Sequence, residues 1–116
     1  MKAGCTRGAM TDQKTVYIAG PMTGYKDFNF PAFDNAAEYL RDINLRVISP
    51  ADHDRAMGIN AATPPSAEQL KSAIMWDLEQ VSNVDIVFFL IGWENSKGAR
   101  AEHALAVFLG KGLMYE

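Results

Sequence analysis

The sequence predicts an α/β domain in which a parallel sheet of about four strands, in the order 2-1-3-4, is sandwiched between helices. Three observations lead there. From Thr15 onward, short β-branched or aromatic runs alternate with longer stretches of helical period, the pattern of strands joined by crossover helices. Residues 84–91 are almost continuously apolar, as a strand covered on both faces requires. Glycine-containing loops follow the first and the third of the strand-like runs.

Residues 16–19 read as the first strand, which Gly20-Pro21 ends. A loop with Thr23, Gly24 and Tyr25 then leads to a helix from about Pro31, whose Phe33, Ala36, Ala37 and Leu40 fall at i, i+3, i+4 and i+7. Residues 45–48 form the second strand. Ser49-Pro50 opens a polar loop holding His53, Gly58 and Pro64-Pro65, about as long as ordinary loops get and for that reason a candidate for function. Ser66 with Gln69 is a capping-box signature, predicting a helix to about Ser82 with Leu70, Ile74, Leu78 and Val81 inward. After the third strand come a polar loop at residues 92–98, a helix at 99–109, and a short strand at 113–115 released by Gly110 and Gly112. Right-handed crossovers arrange these elements as a small flavodoxin- or Rossmann-like three-layer sandwich. The strand order reverses between the first and third strands, so the loops at residues 20–24 and 92–98 are expected to flank a ligand crevice at the carboxyl ends of the strands.

With 116 residues, 48% of them hydrophobic and 22% charged, the chain reads as one domain over residues 15–116, large enough to hold a core without disulfide or metal. Residues 1–14 lack the apolar centre of a signal peptide and read as a disordered leader or expression remnant. The single Cys5 and two scattered histidines give neither a disulfide nor zinc-ligand spacing, so a cytoplasmic location and no metal are expected. Eleven basic against fourteen acidic side chains leave a net charge of −3 with no long basic cluster, which disfavours a nucleic acid polymer as partner. The apolar runs are far short of the roughly 20 residues that span a bilayer, so no membrane partner is expected.

Two carboxyls conflict with pure structure. Asp77, three residues after Ile74 and four before Val81, sits on or beside the apolar face of its helix. Burial and the helix C-terminus there disfavour its charged form, which suits a proton donor; the alternative is a boundary aspartate bonding a neighbouring loop. Glu102 lies in the first turn of the last helix with Leu105, Ala106 and Leu109 on its side. The helix N-terminus is expected to keep it ionised, as a nucleophile or base requires; the alternative is that it only complements the dipole. Two carboxyls pushed in opposite directions form the acid and nucleophile of retaining glycosidic chemistry. Lys97 and Arg100 oppose the macrodipole at the start of the same helix. With Ser96, Gly98 and the free N–H groups of the first turn they compose a phosphate cradle, unless they are simply two solvated charges. His53 and His103 read as surface residues.

The run Val16-Tyr17-Ile18-Ala19-Gly20-Pro21, then Asp77-Leu78 with Asp85, then Ser96-x-Gly98-x-x-x-Glu102, resembles the nucleoside 2-deoxyribosyltransferase superfamily, which includes the 2′-deoxynucleoside 5′-monophosphate N-hydrolases. The likeness spans about residues 15–115 and is closest to a small branch common in phages and bacteria, marked by Gly92-Trp93-Glu94-Asn95-Ser96-Lys97-Gly98-Ala99. The resemblance implies cleavage of the bond between a base and C1′ of deoxyribose, with Glu102 as the nucleophile that forms a glycosyl-enzyme and Asp77 protonating or holding the departing base. It implies that Tyr17, Gly20, Pro21, Met22 and Thr23 shape the sugar pocket and that Trp93 lies against the base. It further implies that Ser96, which stands where the transferases tend to carry an acid, favours a nucleotide. Neither a cofactor nor a metal is implied; the expected partners are a small nucleotide or nucleoside and further copies of the chain in a homodimer or higher homo-oligomer. Two departures stand out: Thr23-Gly24-Tyr25-Lys26 replaces the arginine-containing first loop of the monophosphate hydrolases, and the sequence stops at Glu116, where relatives continue, which implies a more open pocket. The expected function is therefore N-glycosidic cleavage of a 2′-deoxynucleoside 5′-monophosphate, by hydrolysis or base exchange; the alternative is a nucleotide-binding module that senses or sequesters its ligand without catalysis.

Overall fold

The computed structural model describes residues 13–60, 62–63 and 65–116. The leader expected over residues 1–14 lies, as far as residue 12 and including Cys5, outside the described residues, as does Pro64. In chain order the elements are β1 (Thr15–Ala19), a 3₁₀ turn (Lys26–Asn29), α1 (Phe30–Asp42), β2 (Arg46–Ile48), α2 (Pro50–Ala56), α3 (Ala67–Asn83), β3 (Ile86–Phe89), a second 3₁₀ turn (Trp93–Asn95), α4 (Lys97–Phe108) and β4 (Gly112–Tyr115). All strand pairs are parallel and the order is β2-β1-β3-β4, the expected 2-1-3-4.

The period of two along the central strands builds the three layers. Val16 and Ile18 of β1, with Phe88 and Leu90 at β3, face α1, where Phe33, Ala36, Ala37 and Leu40 form the predicted buried stripe. Tyr17 and Ala19, with Val87 and Phe89, face the opposite way onto Val81 of α3 and Ala106 of α4. Asp85 fastens the start of the central pair. Its Oδ2 accepts from the backbone N–H of Thr15 at 2.9 Å and from the Thr15 hydroxyl at 3.1 Å, and these bonds hold its carboxyl below the usual range.

The structure corrects three element expectations. The polar stretch after Ser49 contains a helix, α2, which Pro50 opens and the Ser49 side chain caps by accepting from Ala51 N–H at 3.2 Å. Helix α4 starts at Lys97, two residues earlier than expected, because Ser96 caps it by accepting from Ala99 N–H at 3.1 Å. Helix α3 has the predicted capping box: Ser66 Oγ accepts from Gln69 N–H at 3.1 Å and Gln69 Oε1 from Ser66 N–H at 2.8 Å. Its stripe, however, is fully buried only at Val81; Ile74 and Leu78 are half-buried and Leu70 is exposed. At 17 residues α3 is about 25 Å long, whereas strands of four or five residues reach about 17 Å at most. The N-terminal half therefore overhangs the carboxyl edge of the sheet and becomes a wall.

Candidate active site

The two glycine-containing loops do meet. Gly20 packs so closely on Leu90 that a Cβ would come within 2.7 Å of the leucine side chain. Gly92 has φ +91, and a Cβ there would approach the Tyr25 hydroxyl to 2.9 Å and Pro21 Cγ to 3.4 Å. Side chains would force the loops apart at both points. Below them opens a cleft of about 330 Å³, within the range of small-molecule sites.

Tyr17, Asp77 and Glu102 converge at the sheet end of this cleft. Tyr17 is fully buried on the face of β1 that looks toward α3 and α4, and its hydroxyl donates to Glu102 Oε2 at 2.9 Å. Burial, and then the neighbouring Glu102 and Asp77 charges, push the phenol well above 10, so Tyr17 stays a neutral donor. Burial pushes Asp77 up to about 7, in the expected direction; the nearby Tyr17 hydroxyl works against the shift and the Asp54 charge adds to it. The cause is burial rather than the helix end: Asp77 stands six residues before Asn83, beyond the reach of the terminal dipole.

Glu102 departs from expectation. Only 4% exposed, it is driven well above the ordinary glutamate range by burial and then by the Asp77 charge, while the Tyr17 bond pulls the other way. The helix N-terminus does not hold it ionised, because the earlier start of α4 places Glu102 in the second turn, where the dipole has faded. The two carboxyls are thus pushed in the same direction and behave as a coupled pair that gives up its second proton reluctantly. Within that pair the Tyr17 hydroxyl favours the charged form of both carboxyls, while the hydrogen bond between them lowers Asp77 and raises Glu102.

The remaining expected site residues divide. Gly20, Met22, Thr23, Ser96 and Gly98 line the cleft with the triad. Pro21 is buried behind it, its carbonyl accepting from Asn29 Nδ2 at 2.9 Å. Trp93 is turned away from the cleft: the 3₁₀ turn after Gly92 stacks it on His103, ring centroids 4.3 Å apart, beside Phe89 and Tyr115. Lys97 and Arg100 are exposed and do not line the cleft, and Lys26 is likewise exposed in its turn. Sequence reasoning missed Phe28 of the first 3₁₀ turn, Phe33 of α1, Asp54 of α2 and Ile59 just after it. No sequence pattern marks Phe28; it reaches the cleft through a backbone in which Asp27, Phe28 and Asn29 all adopt positive φ, from 52 to 62, a costly conformation for an aromatic residue.

Among the described residues no helix is long and apolar enough to cross a membrane. A sequence family described as Domain of unknown function (DUF4406) matches residues 14–115. No curated protein matches. Among solved structures, a 2-deoxyribosyltransferase from the psychrotolerant bacterium Bacillus psychrosaccharolyticus superposes with a TM-score of 0.65 at 24% identity, covering 87% of this chain and 70% of that one. A 2-deoxyribosyltransferase from Leishmania mexicana superposes with a TM-score of 0.62 at 20% identity, covering 88% of this chain and 63% of that one. At these identities the likeness establishes a shared fold.

Proposed function

The chain belongs to the DUF4406 family, and on that premise we propose that it cleaves the N-glycosidic bond of a 2′-deoxynucleoside or its 5′-monophosphate. The observation that carries this reading is the buried Glu102 carboxyl at the end of the cleft, held by Tyr17 and coupled to Asp77. Its supporting context is a fold shared with 2-deoxyribosyltransferases. In the proposed reaction a Glu102 carboxylate oxygen attacks C1′ as the C1′–N bond breaks, and Asp77 gives its proton to the departing base. Water, or a second base, then displaces Glu102 from C1′ and returns a proton to Asp77. Tyr17 aims the attacking oxygen. Apolar side chains such as Met22, Phe28 and Ile74 cover the base and exclude water.

We further propose that a 5′-phosphate sits at the start of α4. The N–H groups of Lys97 and Gly98 have no intrahelical partner there, and Ser96 lines the cleft. With Lys97 and Arg100 outside the lining, the expected preference for monophosphate over nucleoside is modest, about tenfold. A second reading, a module that binds nucleotides without catalysis, is favoured by the burial of Glu102, since a protonated carboxyl is a poor nucleophile. Chromatographic detection of free base across a panel of deoxynucleosides and monophosphates separates the two. Release that Glu102→Gln abolishes while ligand binding persists supports the enzyme; binding with no release from the unmodified protein supports the module.

A further inference from the structure

The cleft has two ends of different character. Beside the triad, α2, the N-terminal half of α3 and the segment between them supply Ile59, Leu70, Ala73 and Ile74, and among these apolar groups one polar side chain, Asp54, whose charge is felt at Asp77. Its sequence neighbours hold it in place. His53 stacks on Trp76 of α3, ring centroids 3.8 Å apart and planes 6° from parallel. Arg55 forks onto Asp34 of α1 through bonds of 2.7 and 3.0 Å. Helix α2 is thereby tied to both flanking helices, and Asp54, between the two ties, is preorganised.

The other aspartate of α2 is occupied: Asp52 accepts from Arg55 at 2.6 Å and pairs with Arg41 at 3.6 Å. Among the described residues the Asp54 carboxyl has no hydrogen bond and no ion pair, although it is about half-buried. Nor does any lysine, arginine, histidine, asparagine or glutamine side chain among the described residues line the cleft. The apolar end therefore reads its ligand with a carboxyl alone. An ionised carboxyl only accepts, which requires an N–H on the ligand.

We infer that Asp54 is the specificity-determining residue of the cleft and accepts a hydrogen bond from the exocyclic amino group of a nucleobase, so that the substrates are deoxynucleosides of amino-bearing rather than oxo-bearing bases. The inference rests on the nucleobase reading above. Asp77 meets the base only at the nitrogen it protonates, so among the described residues of this apolar end the Asp54 carboxyl decides which other edge fits. An oxo group in place of the amine turns lone pairs toward an ionised carboxyl, and the adjacent ring N–H of such a base reaches Asp54 only if the base shifts along its edge, away from the position the amine would hold.

Two matched pairs isolate this feature: deoxyadenosine against deoxyinosine, and deoxycytidine against deoxyuridine, each differing at the amine or carbonyl position. The unmodified protein is expected to favour the amino member at least tenfold in kcat/KM and in calorimetric binding. Asp54→Asn, whose amide either donates or accepts, is expected to bring the ratio near one. Equal binding and turnover of both members by the unmodified protein overturns the inference and leaves glycosidic cleavage standing, as does a ratio that Asp54→Asn leaves unchanged. Amino-selective binding without base release has the opposite meaning: it overturns the glycosidic reading and upholds the role of Asp54. Absence of both binding and release overturns both.

Discussion

The Asp77 carboxyl costs the fold stability. In the unfolded chain it titrates near the ordinary aspartate value of 3.8, and burial in the folded chain raises it to about 7. Between those values the folded state keeps a proton that the unfolded state has lost, so its contribution is intact below pH 4 and disappears as pH rises through 7. Asp77→Asn removes that penalty. We expect the variant to be more stable than the unmodified protein at pH 8 by about 2 to 4 kcal/mol, several degrees or more in Tm, and to differ little at pH 4. Thermal melts at the two pH values check this, and an equal difference at both contradicts it. Asp77 and Glu102 were legible in the sequence because a carboxylate within an apolar helical stripe is conspicuous at one glance. The sign of the Glu102 shift was not, since it depends on the two-residue difference in where α4 begins and on burial that no local pattern reports. Asp54 was illegible for a different reason: it sits in a polar stretch where nothing distinguishes a cleft-facing carboxyl from a solvated one.

At the scale of elements, β1, β3 and α1 followed from periodicity because each buries a regular stripe against a neighbour that itself reads clearly. Helix α2 did not. Seven residues give less than two full turns of period, and only Pro50 and Ala51 are fully buried, so composition alone made the segment look like a loop. Yet α2 carries Pro50 and Asp54 into the cleft lining, and the cleft cannot be assembled on paper without it. Trp93 was misplaced by the same kind of gap. The sequence put it in a loop beside the crevice, while the φ of +91 at Gly92 and the stacking surface of His103 decide which way the ring turns. Helix α3 shows the reverse case, where a correct helix had an incorrect inward face at Leu70 because its N-terminal turns overhang the sheet and pack on the ligand space instead of on a strand.

At the scale of the molecule, the order β2-β1-β3-β4 makes β4 an edge strand, and large apolar side chains remain outside on the same C-terminal elements: Phe108 is 84% exposed and Leu113 36%. We propose that this end pairs with a second copy of the chain. Sedimentation of the unmodified protein is expected to show a dimer or larger assembly that Phe108→Glu dissociates; a monomer at micromolar concentration contradicts the proposal. The reversal of strand order between β1 and β3 is also what brings Tyr17 of one strand against Glu102 of the helix that follows the other. Topology, burial and hydrogen bonding thus meet at one oxygen atom, and whether that oxygen forms a bond to C1′ can be read directly. Intact-protein mass spectrometry after rapid quenching with a 2′-fluorinated deoxynucleoside, whose electron-poor sugar slows breakdown of a glycosyl-enzyme, is expected to show one added sugar, mapped by proteolysis to Glu102 and absent in Glu102→Gln. Base release with no covalent adduct at Glu102, or an adduct that survives Glu102→Gln, contradicts the account.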